Sequence, residues 1–253
     1  MSFHLPRLDV DPASPFPPVD SALRRPDGLL AFGGDLSVPR LLLAYRHGIF
    51  PWFSEGQPIM WWSPDPRMVF HTDRIHLSQR FRRGLRSSAW TVHSDTAFRD
   101  VVDACAASPR PGQDGTWITA AMVDAYCALH AAGHAHSVEV RDGDRLVGGI
   151  YGVAVGRAFF GESMFSGTSG GSKVALAALA ARLVQWGMPL VDAQVTHPHL
   201  ERLGAERVPR ERFMREIGLL VDGGGRIGAW TSAFGVLPAV ALADVGAGAG
   251  ISA

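Results

Sequence analysis

The feature that most constrains this chain lies between residues 136 and 162, where three β-patterned runs follow one another almost without interruption. Residues 136–141, 145–155 and 157–162 are rich in Val, Ile, Tyr and Phe, and Asp142-Gly143 and Gly156-Arg157 separate them. Branched and aromatic side chains fit a pleated surface, and a glycine at a two-residue turn supplies the positive φ that a hairpin needs. The runs predict an antiparallel meander whose faces helices must cover.

The flanking periodicities extend that prediction in both directions. A strand at 90–93 and helices at 96–107 and 119–132 precede the meander. A helix at 171–186 follows, with Leu176, Leu179 and Leu183 on one face and Ser169 or Ser172 able to cap its start. Then come a strand at 190–195 and short helices at 198–203 and 209–217. The order β-α-α-β-β-β-α-β-α resembles the core of the GNAT acyltransferase fold, a mixed sheet flanked by helices. Residues 1–67 differ in texture, being rich in Pro, Gly and Trp with one helical stretch at 38–47. The expected class is therefore α+β, with a small loop-rich N-terminal domain (1–67), a GNAT-like mixed-sheet domain (68–222) and a flexible Gly/Ala-rich tail (223–253).

Composition limits the partners. Of 253 residues, 47% are hydrophobic and 19% charged, which suits a globular chain with a substantial core. Lys plus Arg and Asp plus Glu number 24 each, so no global field draws in nucleic acid. A local cluster does exist: Arg67, Arg74, Arg80, Arg82, Arg83 and Arg86 form a candidate phosphate-binding strip. Cys105 and Cys127 both fall in helical patterns, implying neither a disulfide framework nor a zinc pair and fitting buried thiols in a reducing cytoplasm. The N-terminus lacks the apolar core of a signal peptide, and the uncharged run 227–243 contains Pro238 and several Gly and is short for a bilayer span.

Candidate chemistry sits on the strand at 190–195. In VDAQV a period of two places Asp192 and Gln194 on one face, and Glu162 ends its strand pattern beside a Gly- and Ser-rich loop, where sites are commonly built. Each of the three alone also reads as a local structural polar group. GTSGGSKV at 167–174 lacks the Gly-Lys-Ser/Thr order of a phosphate loop, and no Gly-x-Ser-x-Gly elbow is present. His197, His199, His134 and His136 lack an acid or Cys at zinc spacing and read as caps and surface residues. Trp52, Trp61, Trp62, Trp117 and Tyr126 sit beside Gly, Pro or polar residues, where their rings suit either base stacking or domain packing.

Longer words carry a family resemblance. PDGLLAFGGDLS (26–37), GIFPWF (48–53), WWSPDPR (61–67), GTWIT (115–119), GHAHSVEV (133–140), LVGGIYGV (146–153), FFGESMFS (159–166), SKVAL (172–176), LVDAQ (190–194) and HLERLGA (199–205) occur in fixed order. Together they resemble the leucyl/phenylalanyl-tRNA-protein transferase family from about residue 16 to 213. The resemblance implies an enzyme that moves Leu or Phe from Leu-tRNA or Phe-tRNA onto proteins beginning with Arg or Lys, marking them for degradation. It implies no metal or nucleotide cofactor, no membrane, and a cytoplasmic monomer. Asp192 and Gln194 match residues assigned to orienting the acceptor amine, and Glu162 matches a further site residue suited to hold a cationic acceptor. Ile150, Phe159, Leu176, Leu179 and Val191 match an apolar aminoacyl pocket, and read equally well as core. Trp117 and Tyr126 match aromatics around the terminal adenosine, and Arg80, Arg82, Arg83 and Arg86 a basic surface along the acceptor stem. Two rivals stay open: a tRNA-binding module without catalysis, and an N-acyltransferase using acyl-coenzyme A, although the Arg/Gln-x-x-Gly-x-Gly/Ala turn of the latter is missing before Ser172.

Overall fold

The computed structural model describes residues 5–109 and 116–244, so Gly115 of the GTWIT word lies outside the described residues. The N-terminal part builds β1 (Arg7–Leu8), β2 (Leu29–Gly33), α1 (Val38–Arg46), β3 (Phe50–Pro51) and β4 (Met60–Trp62), and its strands pair in the order β1-β2-β4-β3. Helix α1 begins where the Ser37 side chain accepts the Arg40 N–H and a proline fits the first turn. It stops before Gly48, whose φ is +65°. A Cβ there would meet Phe213 and Met214, so only glycine lets this turn seat against the following domain.

The remaining elements are β5 (Arg67–His71), α2 (Gln79–Leu85), β6 (Thr91–Ser94), α3 (Phe98–Ala107), α4 (Ala120–Ala131), β7 (Ala135–Asp142), β8 (Arg145–Val155), β9 (Ala158–Ser166), α5 (Gly171–Gln185), β10 (Leu190–Gln194), α6 (Pro198–Arg202), β11 (Glu206–Val208), α7 (Arg210–Gly218), α8 (Thr231–Phe234) and β12 (Leu237–Pro238). Their strands form an eight-stranded mixed sheet, β11-β5-β10-β9-β8-β7-β6-β12, in which, among the described residues, only the β9–β10 pair is parallel. The predicted meander is its centre: Asp142 pairs with Arg145 and Val155 with Ala158, leaving two-residue turns at Gly143 and Gly156 with φ of +59° and +57°.

The sheet separates two apolar layers. Against one face pack α1, α3, α4, α7 and the N-terminal sheet through Tyr45, Phe98, Tyr126 and Phe213. Against the other packs α5, with Leu85 of α2 and the C-terminal elements. Alanine-rich α5 lies so close to β8 that a Cβ on Gly148 would fall 2.4 Å from the Gly171 backbone. Only its last two residues are exposed, so it is a buried helix rather than the one-faced helix that its leucines suggest. Its N-cap is Gly170, not Ser169 or Ser172; the Ser172 hydroxyl instead meets Ser166 Oγ at 2.9 Å.

The expected flexible tail is corrected over its described part. Residues 230–243 fold as α8, β12 and a short 3-10 turn, and Trp230 is buried with Phe234, Leu237 and Leu242. Asp95 anchors this segment, accepting the Trp230 N–H at 2.7 Å and His136 Nδ1 at 2.9 Å, while the His136 ring stacks on Trp230 at 3.7 Å. His136 is thus a core residue rather than a surface one. Among the described residues no helix is long and apolar enough to cross a membrane.

Candidate active site

Three strands, β5, β9 and β10, bring the site together. Arg67 opens β5, and its guanidinium holds Asp192 of β10 in a two-pronged contact, Nε to Oδ1 at 2.9 Å and Nη2 to Oδ2 at 2.7 Å. Both side chains are 0% exposed. The third nitrogen of Arg67, Nη1, donates to the Gly48 carbonyl at 2.9 Å, and the rings of Phe50 and Phe213 flank the guanidinium at 4.9 and 4.6 Å. Asp192 Oδ1 also accepts the backbone N–H of Gln194 at 2.8 Å. That contact stabilises an unusual backbone: Gln194 has φ of +61°, and β10 bulges between Asp192 and Gln194 against β5. Period-two alternation is therefore not what aligns Asp192 with Gln194. The bulge turns Gln194, and Asp192 is the internal strut of that turn.

Gln194 then reaches across to β9, where Nε2 donates to Glu162 Oε1 at 2.7 Å. Glu162 lies within β9 rather than at its end, because the strand continues to Ser166. It is the extra residue of a second bulge: Tyr151 pairs with Ser163 and Gly152 with Gly161, leaving Glu162 unmatched. Tyr45 of α1 donates to Glu162 Oε1 at 2.8 Å and Tyr126 of α4 to Oε2 at 2.6 Å, and the two phenol oxygens are 2.6 Å apart. Burial raises the Glu162 pKa to about 7, with the three donors opposing and the Asp192 charge adding to the rise. Burial, followed by the Glu162 charge, holds both phenols well above their ordinary pKa. Both oxygens of Glu162 are thus engaged by Tyr45, Tyr126 and the amide of Gln194.

A family model described as leucyl/phenylalanyl-tRNA protein transferase matches residues 69–218, and one for the N-terminal domain of the same protein matches residues 34–65. The chain belongs to the leucyl/phenylalanyl-tRNA protein transferase family. Relatives bearing that name agree over nearly the whole length. That of Xanthomonas axonopodis pv. citri (strain 306) is 64% identical over 245 residues, covering 96% of this chain and 98% of the relative. That of Xanthomonas oryzae pv. oryzae (strain MAFF 311018) is 66% identical, covering 90% and 91%, and that of Xylella fastidiosa (strain M23) is 61% identical, covering 90% and 94%. The chain is thus a transferase enzyme. A solved chain described as the structure of L-PGS from Bacillus licheniformis aligns with a TM-score of 0.34 at 12% identity, covering 66% of this chain and 53% of that one, too low to define a shared fold.

In this transferase the five residues matched to an apolar pocket are buried members of one core layer. Ile150, Phe159, Leu176, Leu179 and Val191 share the α5-side core, each 5% exposed or less, on the sheet face opposite Glu162. The pairing of β9 with β10 ends at Asp192 and Phe160, after which β9 runs on to Ser166 and β10 turns away at Gln194.

The two aromatic candidates separate. Trp117 is half-buried and lines a cleft of about 850 Å³ with Trp52, Trp62, Met60 and Ile118. Tyr126 is wholly buried, with its ring edge-on to Tyr151 and its hydroxyl on Glu162, so it offers no ring face to a base here. Tyr126 lies seven positions along α4 from the cleft residue Thr119, its N-cap, roughly 10 Å along the helix axis. Arg80, Arg82 and Arg83 lie on α2 and Arg86 caps its end. Phe81 and Leu85 turn inward, Arg80, Arg83 and Arg86 are exposed, Arg82 is half-buried, and Arg86 pairs with Asp244 at 3.2 Å.

The sequence missed Tyr45 as a site residue and misplaced Arg67, which it put in the phosphate-binding strip but which is 0% exposed and paired with Asp192, out of reach of a phosphate. Tyr45 follows LLLA on the buried face of α1, and nothing in the chain marks its hydroxyl as different from any core tyrosine. Arg67 carried a signal, since a charged residue opening the apolar run MVF must find a partner once the strand is buried. Among the described residues no cluster of three or more His, Cys, Asp or Glu forms a metal site.

Proposed function

We propose that this chain transfers Leu or Phe from aminoacyl-tRNA to the N-terminal α-amine of proteins beginning with Arg or Lys, as a cytoplasmic monomer on a GNAT-like fold and without a metal or cofactor. Gln194 is the observation that carries the reading. Its amide nitrogen is committed to Glu162, and among the described residues its amide oxygen takes no hydrogen bond. That oxygen is a fixed acceptor for one N–H of an incoming amine, which leaves the nitrogen lone pair aimed at the ester carbonyl. Asp192 and Arg67 hold the backbone that carries it.

The chemistry asks for little more than placement. A carbon–nitrogen bond forms at the ester carbonyl, the carbon–oxygen bond to the terminal ribose breaks, and the neighbouring ribose hydroxyl passes the amine proton to the leaving oxygen. Ester to amide is downhill, and an α-amino group with a pKa of about 7.7 to 8.0 is partly neutral near pH 7. Orientation can supply roughly 7 to 11 kcal/mol of the barrier in favourable cases. A neutral amide such as Gln194 orients the amine rather than taking its proton.

Recognition divides among the other residues. Trp117, with Trp52 and Trp62 across the cleft, suits the terminal adenosine, while Tyr126 serves the site through its hydroxyl. Ile150, Phe159, Leu176, Leu179 and Val191 suit an unbranched-Cβ side chain, since a slot of this kind discriminates by shape. Arg80, Arg82, Arg83 and Arg86 suit backbone phosphates, which position without reading sequence. The deciding experiment incubates the protein with radiolabelled Leu-tRNA or Phe-tRNA and an acceptor bearing N-terminal Arg, beside the same acceptor N-acetylated. Label should enter only the free-amine acceptor. Label in neither, with tRNA still bound, would reduce the chain to a binding module.

A further inference from the structure

The oxygens around Glu162 need more hydrogens than the two phenols supply. Three oxygen–oxygen contacts close a ring: Tyr45 to Glu162 Oε1 at 2.8 Å, Tyr126 to Glu162 Oε2 at 2.6 Å, and Tyr45 to Tyr126 at 2.6 Å. Each contact of this length holds one hydrogen, because oxygens facing each other through lone pairs alone move beyond about 3 Å. The phenols bring two hydrogens. If Glu162 were a carboxylate, both would point at it and the 2.6 Å contact between Tyr45 and Tyr126 would hold none. Ionising a phenol would remove a hydrogen rather than add one.

We propose that Glu162 is an uncharged carboxylic acid in the free enzyme, closing this ring, and that Tyr45 is a positioning residue that keeps Glu162 Oε1 an acceptor for Gln194. The direction of the ring follows from Gln194. Because Gln194 Nε2 donates to Oε1, that oxygen is the carbonyl of the acid and the proton sits on Oε2. The Tyr126–Oε2 contact, in which the phenol donates while Glu162 is a carboxylate, is reversed in the neutral acid: Oε2–H donates to Tyr126, Tyr126 to Tyr45, and Tyr45 back to Oε1. The surrounding groups fit a neutral acid: the ring of Tyr151 on β8 lies edge-on to Tyr126, and the charge of Asp192 on β10 is matched by Arg67 on β5.

Neutrality matters for the reaction. An anion one amide away from the acceptor would favour its ammonium form, which has no lone pair to attack with. A neutral Glu162 orients Gln194 without that penalty. The inference deepens the role given to Gln194 above, yet its first test needs no transfer activity and so can fail independently of it.

The test is isotope-edited infrared spectroscopy of protein carrying carboxyl-labelled glutamate, using Glu162→Gln as the blank, at a pH one to two units above the ordinary glutamate value of about 4.3. A protonated-carboxyl C=O band present in the parent and missing from the blank is expected; a carboxylate band alone overturns the proposal. Tyr45→Phe should move that band to higher frequency, because Oε1 loses a donor, and should lower kcat about tenfold with little change in KM for the aminoacyl donor. An unmoved band, or a loss confined to KM, overturns the positioning role. Should Tyr45→Phe fold poorly, Tyr126→Phe removes the ring's other phenol and must likewise shift the band.

Discussion

Arg67 and Asp192 meet through two hydrogen bonds of 2.9 and 2.7 Å with no solvent reaching either side chain, and the same carboxylate supports the left-handed backbone of Gln194. Removing one partner strands a buried charge. Asp192→Ala is expected to cost about 3 to 5 kcal/mol in urea unfolding. Replacing both, as Arg67→Met with Asp192→Leu, should recover much of that stability, since well-packed apolar pairs often substitute for buried ion pairs. Activity should not return with it, because the Gln194 N–H has lost its acceptor. Recovery of both together would show that the pair only stabilises the fold.

Gln194 allows backbone and side chain to be separated. At φ of +61° a glycine is at ease, so Gln194→Gly should be neutral or stabilising by about 1 kcal/mol in thermal unfolding. The same variant loses the amide, and single-turnover transfer should slow roughly 100-fold while donor binding holds. Slow transfer caused by weak donor binding would reassign Gln194 to substrate recognition.

Glu162 predicts a pH dependence of stability. Burial raises its pKa in the folded protein to about 7, against about 4.3 when unfolded. Between those values the folded state keeps a proton that the unfolded state has lost, so stability falls as the pH rises through this window, by roughly 4 kcal/mol in all, and levels off above it. Glu162→Gln should remove this slope, read as the difference between parent and variant in urea titrations across the window. An unchanged slope would place the proton elsewhere.

The α2 arginines should act at a distance from the chemistry. Reversing Arg80 and Arg83 to Glu should raise KM for charged tRNA and flatten its dependence on salt, while leaving a minimal aminoacyl-adenosine donor unaffected. Equal damage with both donors would point to folding. Arg86 is a poorer choice because its ion pair with Asp244 joins α2 to the end of the described chain.

The C-terminal segment gives the plainest stability test. Trp230→Ala should cost about 3 to 5 kcal/mol in urea unfolding, the range for emptying a large core site. Loss within the error of the measurement would mean that this segment rests on the sheet without supporting it.

Local pattern was enough for the meander, for most helices and for the match of LVDAQ and FFGESMFS to a family, because hairpin turns and side-chain periodicity depend on residues adjacent in the chain. The sequence also placed Asp192, Gln194 and Glu162 in one site. It could not assign their parts. Those follow from two bulges, one leaving Glu162 unmatched against β8 and one turning Gln194 against β5, and a bulge depends on the register between strands far apart in sequence. Tyr45 and Arg67 entered the site for the same reason, since each meets its partner only once α1 and β5 are docked. The tail was misread because its glycines and alanines suggest freedom from inside the chain, whereas its order comes from the Asp95 and His136 surface on which Trp230 settles. Residue chemistry and family were thus determined by the sequence itself; which carboxylate is paired, which is neutral and which amide is aimed were decided only by tertiary structure, where burial and register set the charge and direction of each group.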